Sequence, residues 1–291
     1  MEANNNNLKL AIQKEGRLTQ ETLDFLRNSG LEFESYRQKL MSSCRNFPLE
    51  IIYVRDNDIS GYVENGIVDL GILGQNLLNE KRPKVKKLLN LRYGFCSLVI
   101  AVPKESTIQS VAELNGKKVA TSNPESTRRF FKERNLKVEI ITISGSVEIA
   151  PILGMADAVT DLTSTGSTLA LNDLRMVCEI YDSEAVMISN FKLMNDNKKR
   201  LLLSKLLIRF KAVLSAQRYK YVMMNAQEKS LPRLLKIIPG IKTPLVSKYT
   251  NTDEVTIASV IKEDVFWETV TRLQSWGVSQ ITVLPVEKMI I

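Results

Sequence analysis

Not one of the 291 residues is histidine, and that absence removes whole classes of chemistry at once. Ser/His/Asp and Cys/His nucleophilic catalysis both need an imidazole base, and the usual mixed zinc sites need it as a ligand. Any reaction here must run without one. Cysteine is scarce as well: Cys44, Cys96 and Cys178 stand too far apart for a CxxC metal site or a disulfide framework, and are expected as small buried hydrophobes. No window approaches the roughly 18 uninterrupted apolar residues of a membrane span. The opening MEANNNN has no basic segment followed by an apolar core, so a cytosolic protein with no membrane partner is expected.

What is present fits a globular chain. With 44% hydrophobic and 25% charged residues it can bury a sizeable core, over a length that allows two or three domains. Forty basic against 32 acidic side chains leave a net charge of +8, which favours anionic partners. The densest basic run, KRPKVKK at 81–87, has no interleaved aromatics to stack bases. It reads as a solvated loop, and no nucleic-acid partner is expected.

Short apolar strands alternate with helical patterns over the first two thirds, as in α/β layers around a mostly parallel sheet. Strands are expected at 8–12, 49–54, 68–73 and 95–102, with a helix from about Thr19. A second lobe follows. Ser110 and Glu113 have capping-box spacing, KKVAT starts a strand, and Asn123-Pro124 opens a helix. The strand VEIITI, a GSVE turn, a short helix and the strand DAVTD complete it. A strand at 184–189 and a helix at 198–216 then return the chain to the first lobe.

The last seventy or so residues spell β-α-β-β-α-β, the ferredoxin-like order, with helices expected at 229–238 and 264–276. The expected division is residues 1–97 with 183–218 as lobe I, 98–182 as lobe II, and 219–291 as a separate module.

The stretch DAVTDLTSTGSTL carries the most chemistry. As a strand, residues 157–161 set Asp157 and Asp161 on one face. The run Thr163, Ser164, Thr165, Gly166, Ser167, Thr168 then falls before a helix expected from Leu169 to Leu174. Free amides, hydroxyls and the helix dipole suit an anion there, and Gly166 lets the backbone approach it. Acid first and phosphate cradle next is a layout for a phosphorylated ribose. Neither a P-loop nor a GxGxxG pattern occurs, and an ordinary capped loop remains the competing reading. Lys14 and Arg17 follow the first strand, where open α/β sheets bind ligands. Arg55 ends another strand, and Asp69 lies in the apolar run VDLGIL, where an acid must be paired or face a ligand.

Taken in order, LAIQKEGRL, YVRDNDISGYVENGIVDLGILGQNLL, GSVEIAP, ADAVTDLTSTGSTL, FWETV and ITVLPVEKM resemble one family closely: ATP phosphoribosyltransferase in its long form. The resemblance covers nearly the whole chain. It implies two type II periplasmic-binding-protein-like lobes plus a ferredoxin-like, ACT-like regulatory domain. It implies transfer of the phosphoribosyl group of phosphoribosyl pyrophosphate to N1 of ATP, with Mg2+ and release of pyrophosphate, as the first step of histidine biosynthesis. L-histidine as feedback effector and a homo-oligomer, a hexamer with dimers possible, are implied too. The family's phosphoribose loop maps onto residues 163–168 and its ribose-contacting acids onto Glu148 and Asp161. Asp157 matches a further acid of the motif. Lys14, Arg17, Arg55 and Asp69 match the nucleotide and pyrophosphate side. Three departures stand out: Asn57 replaces an acid, the segment after GQNLL is shorter, and TSNPESTRRFF differs from the usual TSYP.

One point of the chemistry agrees with the composition independently. Displacement at an anomeric carbon by a ring nitrogen with a free lone pair needs positioning and charge stabilisation and no strong base. The competing class is a two-lobed small-anion binding or sensor protein without catalysis. Porphobilinogen deaminase has similar lobes, but it carries its cofactor on a cysteine, and none of the three here has a matching context.

Overall fold

The computed structural model describes residues 7–34, 39–238, 240 and 243–290. By contacts the chain divides into two compact units, Met1–Asp24 with Leu31–Leu203, and Phe25–Gly30 with Ser204–Ile291.

The first unit opens with β1 (Leu8–Gln13), α1 (Thr19–Asn28), β2 (Met41–Ser43), β3 (Leu49–Val54) and α2 (Asp56–Glu64). It continues through β4 (Leu70–Gly74), α3 (Gln75–Lys81) and β5 (Lys86–Asn90). The chain then crosses to β6 (Cys96–Pro103), β7 (Lys118–Thr121), α4 (Pro124–Glu133), β8 (Glu139–Thr142), β9 (Ala158–Thr163), α5 (Ser167–Leu171) and β10 (Leu174–Ser183). It returns through β11 (Ala185–Ser189) into α6 (Asn197–Ala216), which spans the division between the units.

Two sheets result, in the orders β2-β3-β1-β4-β11-β5 and β10-β6-β9-β7-β8, and they are the centres of lobes I and II. The apolar runs read as strands form for the expected reason: β1, β3 and β4 pair in parallel and bury nearly every side chain. The sheets are more mixed than expected. β11 runs antiparallel to both β4 and β5, and β6 antiparallel to both β9 and β10. The cause is the double crossing: the chain leaves lobe I after β5, enters lobe II and must come back, so Cys96 pairs with Ser183.

Several local expectations give way. Strand β10 is invisible to period-two reading because the register shifts twice, between Met176 and Cys178 and between Glu179 and Tyr181. The capping box makes only a 3-10 turn at Val111–Leu114, with the Ser110 hydroxyl spent on the Glu113 carboxylate at 2.7 Å rather than on the backbone. The basic run at 81–87 is not all loop, since β5 starts at Lys86.

The second unit adds β12 (Tyr219–Gln227), α7 (Leu231–Leu234), β13 (Leu245–Lys248), β14 (Glu254–Lys262), α8 (Glu263–Ser275) and β15 (Ser279–Pro285). Its sheet order β13-β14-β12-β15, antiparallel throughout, is the ferredoxin-like arrangement. The helix expected at 229–238 shrinks to a 3-10 turn and a single α turn. Pro232 removes one of its donors, and Leu234 and Ile238 still reach the core. Among the described residues no helix is long and apolar enough to cross a membrane.

Candidate active site

Strand β9 is the axis of the site. Its parallel partner β7 and antiparallel partner β6 hold it centrally in lobe II, so its ends have fixed and different surroundings. At the carboxyl end Thr163 pairs with Ser97, next to the crossing into lobe I. The hydroxyl run leaves the sheet there. Gly166 takes φ +75° with no atom near an added Cβ, its N–H donates to the Thr163 hydroxyl at 2.9 Å, and the Thr165 and Ser167 hydroxyls share a bond of 2.9 Å. Ser164, Thr165, Ser167 and Thr168 are exposed. The helix behind them is shorter than expected, because Leu174 already belongs to β10. Five residues carry little dipole, so the cradle consists of amides and hydroxyls.

Asp161 and Val159 face the same side, where Val147 of a 3-10 turn (Val147–Ile149) packs on the sheet. That turn brings Glu148 close enough for its charge to act on Asp161. Burial first of all, and then this neighbouring charge, hold the Asp161 carboxyl above the ordinary carboxylate value, while a hydrogen bond from the Leu162 backbone works against them. A carboxylate kept in this condition is poised for donor groups that would relieve it.

Asp157 is elsewhere. It precedes the amino end of β9, where its Oδ2 accepts from Lys118 N–H at 2.8 Å and its Oδ1 lies 3.9 Å from Lys117 Nζ. The four residue steps from one acid to the other span roughly 13 Å of strand. Asp157 ties β9 to β7 at the end of the strand away from the hydroxyl loop. Asp69 likewise has its partners within the protein. At the amino edge of β4, with 15% side-chain exposure, it accepts from Lys199 Nζ at 2.8 and 2.9 Å and from Lys9 N–H at 2.9 Å. Of the two roles open to a buried acid it has the paired one, and it lies across the sheet from the ligand-binding edge.

Lys14, Arg17 and Arg55 do share that edge, just beyond the carboxyl ends of β1 and β3. Arg17 donates to the carbonyls of Gly94, at 2.9 Å, and Phe95, at 3.4 Å, so it braces the first crossing. Phe95 in turn lines a cavity of about 480 Å³, together with Gln75, Lys87 and Asn90 of lobe I, Ser97, Asp182 and Ser183 of the crossings, and Ser164 of the hydroxyl run. Lys87 and Asp182 had no individual sequence signal. Lys87 sat in a run that resembled a solvated loop, and the Ser97 hydroxyl reaches Asp182 at 2.6 Å across 85 positions of chain.

The family model described as ATP phosphoribosyltransferase matches residues 55–212. The ATP phosphoribosyltransferase of Parabacteroides distasonis is 40% identical over 284 residues, covering 98% of this chain and 100% of that protein. The chain belongs to the ATP phosphoribosyltransferase family. The model described as HisG, C-terminal domain, matches residues 216–288, so the family extends through the ferredoxin-like sheet. The family member from Cytophaga hutchinsonii is 39% identical over 283 residues, covering 97% of this chain and 98% of its own. Among solved structures, a chain of the ATP phosphoribosyl transferase (HisG:HisZ) complex from Thermotoga maritima is similar, with 29% identity and a TM-score of 0.60. The match covers 70% of this chain and 98% of that one.

Proposed function

We propose that the protein transfers the phosphoribosyl group of phosphoribosyl pyrophosphate to N1 of ATP, releasing pyrophosphate, as the first step of histidine biosynthesis in the cytoplasm. The observation that carries this reading is the pair Glu148 and Asp161 beside a self-bonded hydroxyl loop at the crossing between the lobes. The exposed hydroxyls and amides of residues 163–168 hold the 5-phosphate. Asp161 and Glu148 accept from the ribose hydroxyls, and their charge favours the cationic sugar of the transition state. Lys14 and Arg55 offer positive charge to the phosphates of the nucleotide and the leaving group, while Arg17 shapes the wall on which they lie. The adenine nitrogen is already a nucleophile, so the protein's part is to set it against the anomeric carbon and exclude water.

The residues present fit Mg2+ in one way. Among the described residues no group of three or more acidic, Cys or His side chains could cage a metal. Glu148 and Asp161 instead offer the one or two carboxylates that this cation uses when substrate phosphates complete its shell. Bound there, Mg2+ would neutralise charge on the pyrophosphate. The ferredoxin-like module is the reading's site for L-histidine as feedback effector, and a homo-oligomer, a hexamer or its constituent dimers, is the expected assembly.

The test is direct. Purified protein with ATP, phosphoribosyl pyrophosphate and Mg2+ is expected to give the nucleotide adduct by mass and an equal amount of pyrophosphate. Substrate binding by folded protein without either product would leave the non-catalytic anion binder as the better reading.

A further inference from the structure

Helix α4 of lobe II begins with donors that its own sequence leaves unmet. Pro124 has no N–H, and the Thr127 amide reaches the Asn123 carbonyl at 3.0 Å, which leaves the amides of Glu125 and Ser126. An Asn at this position ordinarily caps them with its side chain. Asn123 makes no such bond, and its Nδ2 donates to the Ser122 hydroxyl at 3.1 Å. Both amides are taken by Glu80: the Glu125 N–H donates to Oε1 at 2.7 Å and the Ser126 N–H to Oε2 at 2.8 Å. Glu80 belongs to α3, in lobe I. Around it Arg129 of α4 donates to the Asn79 carbonyl and, at 3.2 Å, to the Ser126 hydroxyl. The Tyr181 hydroxyl of β10 lies 3.3 Å from the same Ser126 oxygen.

We propose that Glu80 is a positioning residue that latches the two lobes in their observed arrangement by supplying, from lobe I, the missing cap of a lobe II helix. A cap on the same chain segment survives any rotation of its lobe, whereas this one exists only while α3 and α4 are in register. Covalent connection between the lobes is confined to the two crossings, around residues 91–96 and 183–185, which permit a hinge. An opening of about 1 Å at α3 would take both bonds beyond hydrogen-bond reach. The latch thereby couples the geometry of one helix terminus to the distance across the cleft lined by Gln75, Lys87 and Ser164. Its existence does not depend on the phosphoribosyl-transfer reading, but its effect on turnover rests on that reading.

Hydrogen exchange on the full chain tests it. Glu80→Gln keeps length and shape but presents one oxygen and one amino group, so one of the two amides must lose its acceptor. Exchange at Glu125 and Ser126 is expected to rise roughly tenfold, the value of a charge-assisted hydrogen bond to a backbone amide. The KM for phosphoribosyl pyrophosphate is expected to rise several-fold with kcat within about twofold, as when a binding-competent arrangement is less populated. Unchanged exchange at these amides would overturn the latch. Faster local exchange with unchanged KM would overturn the positioning role. A wild type with no turnover would sink the functional reading and leave the exchange result as the judge of the latch. If Glu80→Gln fails to fold, Arg129→Met, which removes the contact to Asn79, is expected to raise exchange in the same segment.

Discussion

Asp157 and Asp161 are four positions apart on one strand and meet different physics. Asp157 satisfies a backbone amide and is partly exposed, at 40% of its side chain, so Asp157→Asn should cost no more than about 1 kcal/mol and leave substrate use intact. Asp161→Asn should instead abolish most use of phosphoribosyl pyrophosphate, read as a loss in kcat/KM, while the protein becomes more stable near neutral pH. The sign follows from the raised carboxyl. Its folded pKa exceeds its unfolded value, so its contribution favours folding at low pH and is lost as pH rises through the folded pKa. In the asparagine variant that loss should be absent from a melting-temperature profile against pH, and an unchanged profile would refute the assignment. Asp69 offers the opposite case. Asp69→Asn strands Lys199, itself only 19% exposed, and should destabilise by about 3 kcal/mol in urea without a specific change in KM.

At the scale of elements, the hydroxyl loop depends on one backbone conformation. Gly166→Ala meets no neighbouring atom, so its cost is the left-handed φ alone, about 1 kcal/mol. The variant should fold, with a raised KM for phosphoribosyl pyrophosphate and little change for ATP, and equal effects on both substrates would contradict the loop's assignment. Legibility followed the range of the forces involved. The buried parallel strands, the start of α4 at Asn123-Pro124 and the ferredoxin-like order all announce themselves within a few residues. β10 does not, because its bulges break the alternation on which reading depends. The shared position of the hydroxyl run and Asp161 at the carboxyl end of β9 was legible because loop and acid adjoin in sequence. The partners of Asp69, with Lys199 130 positions away, and of Glu80, with a helix amide 46 positions on, were not.

For the whole molecule, the ferredoxin-like unit is where control is expected. Histidine added to the full chain should slow turnover and reduce amide exchange in β12 to β15. A chain ending at Arg218 should remain active and lose that response, and inhibition surviving the truncation would place the effector elsewhere. The double crossing has a consequence for how the molecule is made. β11 lies between β4 and β5 in the lobe I sheet, yet it is synthesised only after all of lobe II. Lobe I therefore cannot close its sheet during the time that β6 to β10 emerge, whereas lobe II holds all its strands before β11 exists. Limited proteolysis of nascent chains arrested with β10 just outside the ribosome should find β6 and β9 protected while β4 and β5 are still cleaved, so that lobe II is the earlier folding unit and lobe I, first in sequence, is completed after it.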